Sequence, residues 1–412
     1  MKCPKCGATT PKNARFCPSC GIELAVDETE TVESEVIDEA LKDPFTKSKE
    51  KIKAVFIKIK GILIIVSLSL AMLLIWTSLL NGNLIISANN SSVSRDFGYF
   101  SYFLYSIWID IKNGAYGTGA QAYLPASISL LFIITNIVIT IVFGIKGILN
   151  ARTALKNETD PSLKNSVIVL ISNTILYSIL SSSLVSYLSN QSFDASLIGI
   201  GFGLEILTSL ISLTVFISLI FETFMKFEKD KILQTIERAL AIIIASFALM
   251  NIQSGGQPIL KVVDSSGKLI ELCNPIYFAI KPLSDFIGNG DVYVITTSVL
   301  SLFDVVLSIA VIMWSTIMFW VAIRFVHDEI DTKTLLNTTI TAFVIGLVYL
   351  VLVSVTSGTY RLYPANLQNN YIVKVESGAS TSFAQGFLSL ASGIAISVIE
   401  RARITKIRSV GN

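Results

Sequence analysis

Residues 292–323, VYVITTSVLSLFDVVLSIAVIMWSTIMFWVAI, carry a single charged side chain, Asp304, in thirty-two positions. A helix rises about 1.5 Å per residue, so crossing the ~30 Å hydrocarbon core of a bilayer takes about 20 apolar residues. This stretch exceeds that length. Working outward, further runs at about 55–80, 124–148, 165–188, 196–221, 232–252, 334–357 and 381–400 raise the expected spans to eight. The runs 165–188 and 381–400 are rich in Ser, and small residues let helices approach closely within a bundle. The chain is 52% hydrophobic and only 15% charged, where soluble domains carry about 25% charge. The expected fold class is an all-α polytopic membrane protein with residues 51–408 as its transmembrane domain.

The distribution of positive charge tests that count. With the N-terminus in the cytoplasm and eight spans, the inner segments after residue 24 hold twenty Lys and Arg and the outer loops seven, although the outer loops are longer in total. Cytoplasmic loops carry such an excess because positive charge resists translocation. Both termini are therefore expected inside the cell membrane. One segment competes: FGYFSYFLYSIWIDI, residues 97–111, is apolar but too short to span, and is dense in Tyr and Trp. Aromatic residues favour the membrane–water boundary, so it is read as an interfacial helix on the outer side. The outer loop 253–290 contains PILKVVDSSGKLIEL, whose alternation around Asp264–Gly267 predicts an extracytoplasmic β-hairpin. Residues 370–377, NYIVKVES, are positioned to add a strand. Cys273 in that loop is the one cysteine outside residues 1–24.

The N-terminus is of another kind. In MKCPKCGATTPKNARFCPSCGIEL, residues 1–24, Cys3 and Cys6 are separated by two residues, as are Cys17 and Cys20. A two-residue gap lets both sulfurs of a pair reach one ion, and two pairs complete a tetrahedral shell. Gly7 and Gly21 follow the second cysteine of each pair, where a sharp turn favours positive φ. Four thiols at metal-ligand spacing fit a reducing compartment. The chain opens on this bead, with no basic stretch plus short apolar run ahead of it, so the first span is expected to act as signal anchor.

These paired CPxCG knuckles resemble the short zinc-ribbon family found at the ends of many prokaryotic proteins. The resemblance covers residues 1–24 and implies one structural Zn2+ on Cys3, Cys6, Cys17 and Cys20. Residues 25–50 follow as an expected flexible linker that changes sign. Eight acidic residues and no basic one lie between Glu23 and Glu39, then seven lysines between Lys42 and Lys60. The lysines suit anionic headgroups at the start of a long helix.

Three charges stand out at depth inside expected spans: Glu205, Arg238, which has Glu237 beside it, and Asp304. A charge at membrane depth costs at least ~2.5–3.5 kcal/mol, so it is expected to have a partner or a task. If their spans are neighbours, Arg238 is expected to pair with Glu205 or Asp304. Gly199 and Gly203, four residues apart ahead of Glu205, suit close helix packing. The string GNGD, residues 288–291, matches the GxGD of intramembrane aspartyl proteases, but the run 232–252 supplies no second aspartate. No HExxH, P-loop or GxSxG occurs, and the single histidine, His327, lies in a charged inner loop expected to be solvated.

The function expected is that of a non-enzymatic membrane component whose cytoplasmic ribbon docks a protein partner as scaffold or regulator of a membrane complex. Its partners are then the lipid bilayer and a cytosolic or membrane protein. A transporter or translocation-pore subunit using Glu205, Arg238 and Asp304 is the alternative. Nucleic-acid binding by the ribbon is the third reading. Lys2, Lys5, Lys12 and Arg15 give the ribbon a basic face, but the acidic tether opposes that use.

Overall fold

The structure is a computed structural model, and it describes residues 3, 5–9, 16–22, 44–80, 83–88, 91–96, 120–189, 202–227, 231–267, 269–273, 275 and 291–410. It divides into two compact units, Met1–Phe56 and Ile57–Asn412. The interfacial helix expected at 97–111, the acidic part of the linker and most of 274–290 lie outside the described residues.

The first long helix, α1, runs from Pro44 to Leu80. Proline suits a first helical turn, because the N–H it lacks would have no partner there. The end of the expected linker, 44–50, is therefore helix. The strands β1 (Asn83–Ala88) and β2 (Ser91–Asp96) form an antiparallel hairpin that the sequence reading did not foresee. Then come α2 (Ala120–Lys156), α3 (Lys164–Ser189), α4 (Phe202–Met225) and α5 (Ile232–Ser254). After α5 come β3 (Leu260–Val263), β4 (Leu269–Cys273) and α6 (Val292–Val326). The chain continues through α7 (Thr332–Arg361), the short α8 (Pro364–Gln368), β5 (Ile372–Val375) and α9 (Ser377–Val410).

Among the described residues seven helices are long and apolar enough to cross a membrane: Glu50–Leu73 of α1, Leu130–Lys156 of α2, Thr208–Met225 of α4, α5, α6, α7 and Ser377–Thr405 of α9. The helix at the remaining expected span, α3, supplies a shorter apolar stretch, Lys164–Leu176.

The bundle is turned inside out relative to a soluble domain. Thr140, Asn173, Thr174, Ser218, Thr297, Ser301, Thr339, Thr356, Ser382 and Ser389 are fully buried. Leu73, Leu131, Leu213, Phe224, Val306, Met313 and Val398 are each more than half exposed. Water would punish that arrangement, since apolar patches larger than a few hundred Å² associate. Hydrocarbon permits it, and polar side chains then face other helices. The chain is a multi-pass membrane protein.

Contacts at the two ends of each helix fix the order of the core. The Ser308 hydroxyl donates to Gly255 O, while Arg238 reaches Asp328, so α5 and α6 are antiparallel. On α7, Gly346 lies against Ser382 O of α9, Gly386 against the Phe343 backbone and Gly393 against Thr339, so these two are antiparallel as well. A Cβ on Gly346 would sit 3.1 Å from that carbonyl oxygen, and one on Gly393 would sit 2.6 Å from Thr339 Oγ1. The Ser-rich run 381–400 is thus a packing face, as its small residues implied.

A three-stranded sheet, in the order β4–β3–β5, closes one end of this group. The expected hairpin is present: Leu260 pairs with Cys273 and Lys261 with Leu272. Its turn is held by Asp264 Oδ1, which accepts from Ser266 N at 2.9 Å, and by Gly267 at φ 85°. The strand β5 joins on the other side of β3, with Leu260 opposite Val375. The sheet links the end of α5 to the connection between α7 and α9, and Ile259, Leu260, Val262, Cys273, Tyr349 and Tyr360 bury together beneath it. The opposite end carries most of the ion pairs seen among the described residues.

Candidate metal centre and buried charges

At that charged end Arg238, one and a half turns into α5, has 7% of its side chain exposed. Its Nη2 donates to Asp328 Oδ2 at 2.8 Å and to Oδ1 at 2.9 Å. Such a two-point clamp is the strong form of a charge-assisted hydrogen bond. Asp328 follows the end of α6 in the left-handed region, at φ 65°. Asp328 N donates to Phe325 O and Glu329 N to Arg324 O, the pattern that closes a helix C-terminus around a left-handed residue. The turn thereby aims the carboxylate back at α5. Lys226 joins it at 3.1 Å and also bonds Glu222 at 3.0 Å. Burial opposes the Asp328 charge, but hydrogen bonds from Arg238 and Lys226 outweigh it and hold its pKa below the usual carboxylate value.

The expected pairing of Arg238 with Asp304 is therefore replaced by a pair with Asp328. Register explains it. Gly255 meets Ser308, and Arg238 lies seventeen residues before Gly255, about 25 Å along the axis at 1.5 Å per residue. The two charges occupy opposite ends. Glu205 is in the first turn of α4, and its side chain lies outside the described residues. His327, expected to be solvated, is about three-quarters buried and meets Glu222 Oε1 at 2.9 Å. Glu237, beside Arg238, is buried with Arg403 of α9 at 3.6 Å. Asp291 of the GNGD string caps α6, accepting from Tyr293 N at 2.8 Å and Val294 N at 3.3 Å. That is the ordinary work of an N-cap aspartate.

Asp304 is fully buried near the sheet end. Neither of its carboxylate oxygens has a hydrogen-bond partner. The Thr356 hydroxyl of α7 lies beside it, and Tyr349 and Ser308 share the same region. Thr356 is only five residues from the end of α7, so the carboxylate sits just beneath the sheet.

The four cysteines form the other candidate site. Cys3 Sγ is 3.6 Å from Cys20 Sγ, and Cys6 Sγ is 3.6 Å from Cys17 Sγ. All four sulfurs lie within 4.8 Å of one another. A disulfide needs about 2.05 Å. A zinc tetrahedron with Zn–S bonds of about 2.3 Å has edges of roughly 3.8 Å, which these distances match. The two knuckles repeat one hydrogen-bond pattern. Cys3 N donates to Ala8 O and Gly7 N to Cys3 O; Cys17 N donates to Ile22 O and Gly21 N to Cys17 O. Gly7 at φ 72° and Gly21 at φ 67° supply the left-handed turns.

Residues 2–24 match the zinc-ribbon domain family. Neither a curated protein nor a solved structure matches the chain. The zinc ribbon thus holds one structural Zn2+ on Cys3, Cys6, Cys17 and Cys20. All four thiolates are used, so the centre is closed rather than catalytic. The Cys6 amide lowers the Cys3 thiol to about 6. At Cys20 the Ile22 amide favours the thiolate, but burial and the neighbouring Cys6 and Cys3 sulfurs push the thiol up to about 12. Four crowded thiols thus do not all ionise alone, and a dication supplies the missing charge. Phe16, beside the second knuckle, is 57% exposed on this small domain.

Proposed function

We propose that the protein is a non-enzymatic component of a cell-membrane complex, with both termini cytoplasmic, whose zinc ribbon docks a protein partner. The observation that carries this reading is a closed four-thiolate centre in a compact unit separate from the apolar bundle, displaying an exposed aromatic residue. A closed zinc has no position for substrate, so its use is to hold a surface in shape. An exposed Phe on so small a surface suits the buried anchor of a protein contact. With α3 counted as the eighth crossing, the Lys and Arg excess in alternate loops supports the cytoplasmic placement of both termini. The acidic run after the ribbon favours a protein partner over nucleic acid.

The test is recovery of partners from native membranes in mild detergent, comparing wild type with Phe16→Ala and with Cys17→Ser/Cys20→Ser. Loss of the same proteins from both variants supports docking through the ribbon surface. Retention of the full set in both variants sinks it.

A further inference from the structure

The side chains around Asp304 have an unusual polarity. Thr297, Ser301, Asp304 and Ser308 recur every three or four residues on one buried face of α6. Their hydroxyl protons are mostly committed to backbone carbonyls. Ser301 Oγ donates to Ser298 O at 2.9 Å, Thr356 Oγ1 to Leu352 O at 3.0 Å, and Ser308 Oγ to Gly255 O. At Ser301, Thr356 and Ser308, oxygen lone pairs are what remain to face an aspartate with two unpartnered oxygens of its own. Thr297 Oγ1 and Tyr349 Oη, both fully buried, also lack partners. Among the described residues no cation answers the carboxylate. Arg238 is held by Asp328 at the far end, and Lys261 in the sheet is held by Glu376 at 2.6 Å.

A buried group with no hydrogen bond calls for an explanation, and a bound ion is one of the few available. The donors are hard oxygens, which suit alkali and alkaline-earth ions rather than zinc or copper. Only one of them is an anion, which balances a single positive charge; divalent oxygen sites gather several carboxylates. A proton on Asp304 is the other way to neutralise a buried carboxylate, and a response that depends on the identity of the metal ion separates the two.

We propose that Asp304, with Ser301, Ser308, Tyr349 and Thr356, forms a binding site for one alkali-metal cation beneath the sheet end of the bundle. Asp304 supplies the charge and the hydroxyls replace the hydration shell. The site stands independently of partner docking by the zinc ribbon.

The experiment uses the full-length protein in detergent at pH 8. Thermal unfolding is followed as choline chloride is replaced by NaCl or KCl at constant ionic strength, with direct binding of radioactive sodium as a second readout. One of the two metal ions is expected to raise the wild-type Tm saturably by several degrees. Asp304→Asn is expected to abolish that rise and the sodium binding. Thr356→Val, which removes one lone-pair donor and keeps the charge, is expected to raise the half-saturating concentration roughly tenfold, and it carries the test if Asp304→Asn fails to fold. Identical responses to choline, sodium and potassium in wild type would overturn the proposal. A response to pH alone, lost in Asp304→Asn, would also overturn it, the counter-charge then being a proton.

Discussion

The two ends of the helical bundle treat buried charge in opposite ways. At one end Arg238, Lys226, His327 and Arg403 meet Asp328, Glu222 and Glu237 within 3.6 Å. At the other, Asp304 is wholly buried and meets no cation among the described side chains. The difference follows from what each end offers. A helix terminus is followed by a turn, and a turn can bring a charge such as Asp328 back across a neighbouring helix. Asp304 projects from inside α6, with the Thr356 hydroxyl and Tyr349 of α7 near it. What these side chains offer is oxygen rather than charge.

The largest expected effect tests the paired end. Asp328→Asn keeps a residue that tolerates the left-handed turn and removes only the charge. It leaves a nearly buried guanidinium without its anion. Because Asp328 is itself about half exposed, the cost falls below that of a wholly buried pair, at about 2 kcal/mol. Thermal unfolding in detergent reads this as a drop of several degrees. Asp304→Asn is expected to act with the opposite sign in choline buffer. It removes a buried charge that nothing offsets, so stability stays level or rises by up to about 1 kcal/mol. A loss at Asp304 equal to that at Asp328 would end the contrast between the ends.

Much of this architecture is legible in the chain, for physical reasons that differ by region. The cysteines are readable because zinc geometry is local and a two-residue gap encodes it. The helices are readable because hydrocarbon thickness sets a length, and the sheet hairpin because Val262, Lys261 and Leu260 alternate ahead of Asp264–Gly267. The partner of Arg238 is not readable, since Asp328 is ninety residues away and its direction depends on one left-handed turn. The depth of Asp304 misleads for a related reason. Twelve residues into a span suggests the bilayer centre, but α6 overshoots α5, so Asp304 lies beside the last turns of α7. The hairpin β1–β2 is missed although Asn89–Asn90 between two short runs is a turn signal.

Acid separates the ends further. The Asp328 pKa is lowered in the folded state, so its contribution is present above the unfolded value of about 3.9 and is lost as pH falls through the folded value. Asp331, also lowered, chiefly by a hydrogen bond from Thr334, adds loss in the same window. The Tm difference between wild type and Asp328→Asn is therefore expected to be constant from neutral pH to about 5, to begin narrowing near about 4, and to close as pH falls through the lowered folded value. A gap that does not narrow at all as pH falls below about 4 would mean that Asp328 acts through shape rather than charge.

The smallest effect is expected at His327. Its Nδ1 lies 2.9 Å from Glu222 Oε1, but Lys226 already holds the same oxygen at 3.0 Å. His327→Gln retains a side chain able to donate and leaves the lysine in place, so the cost should be about 0.5 kcal/mol or less, typical of a partly exposed pair. That small value is the informative one. If it holds, the charged end is one strong clamp, Arg238 on Asp328, with weaker pairs around it. If His327→Gln costs as much as Asp328→Asn, the charges are coupled through Lys226, and removing any one loosens the turn that aims Asp328. The double variant decides between these: independent pairs add, whereas coupled ones cost no more together than either does alone.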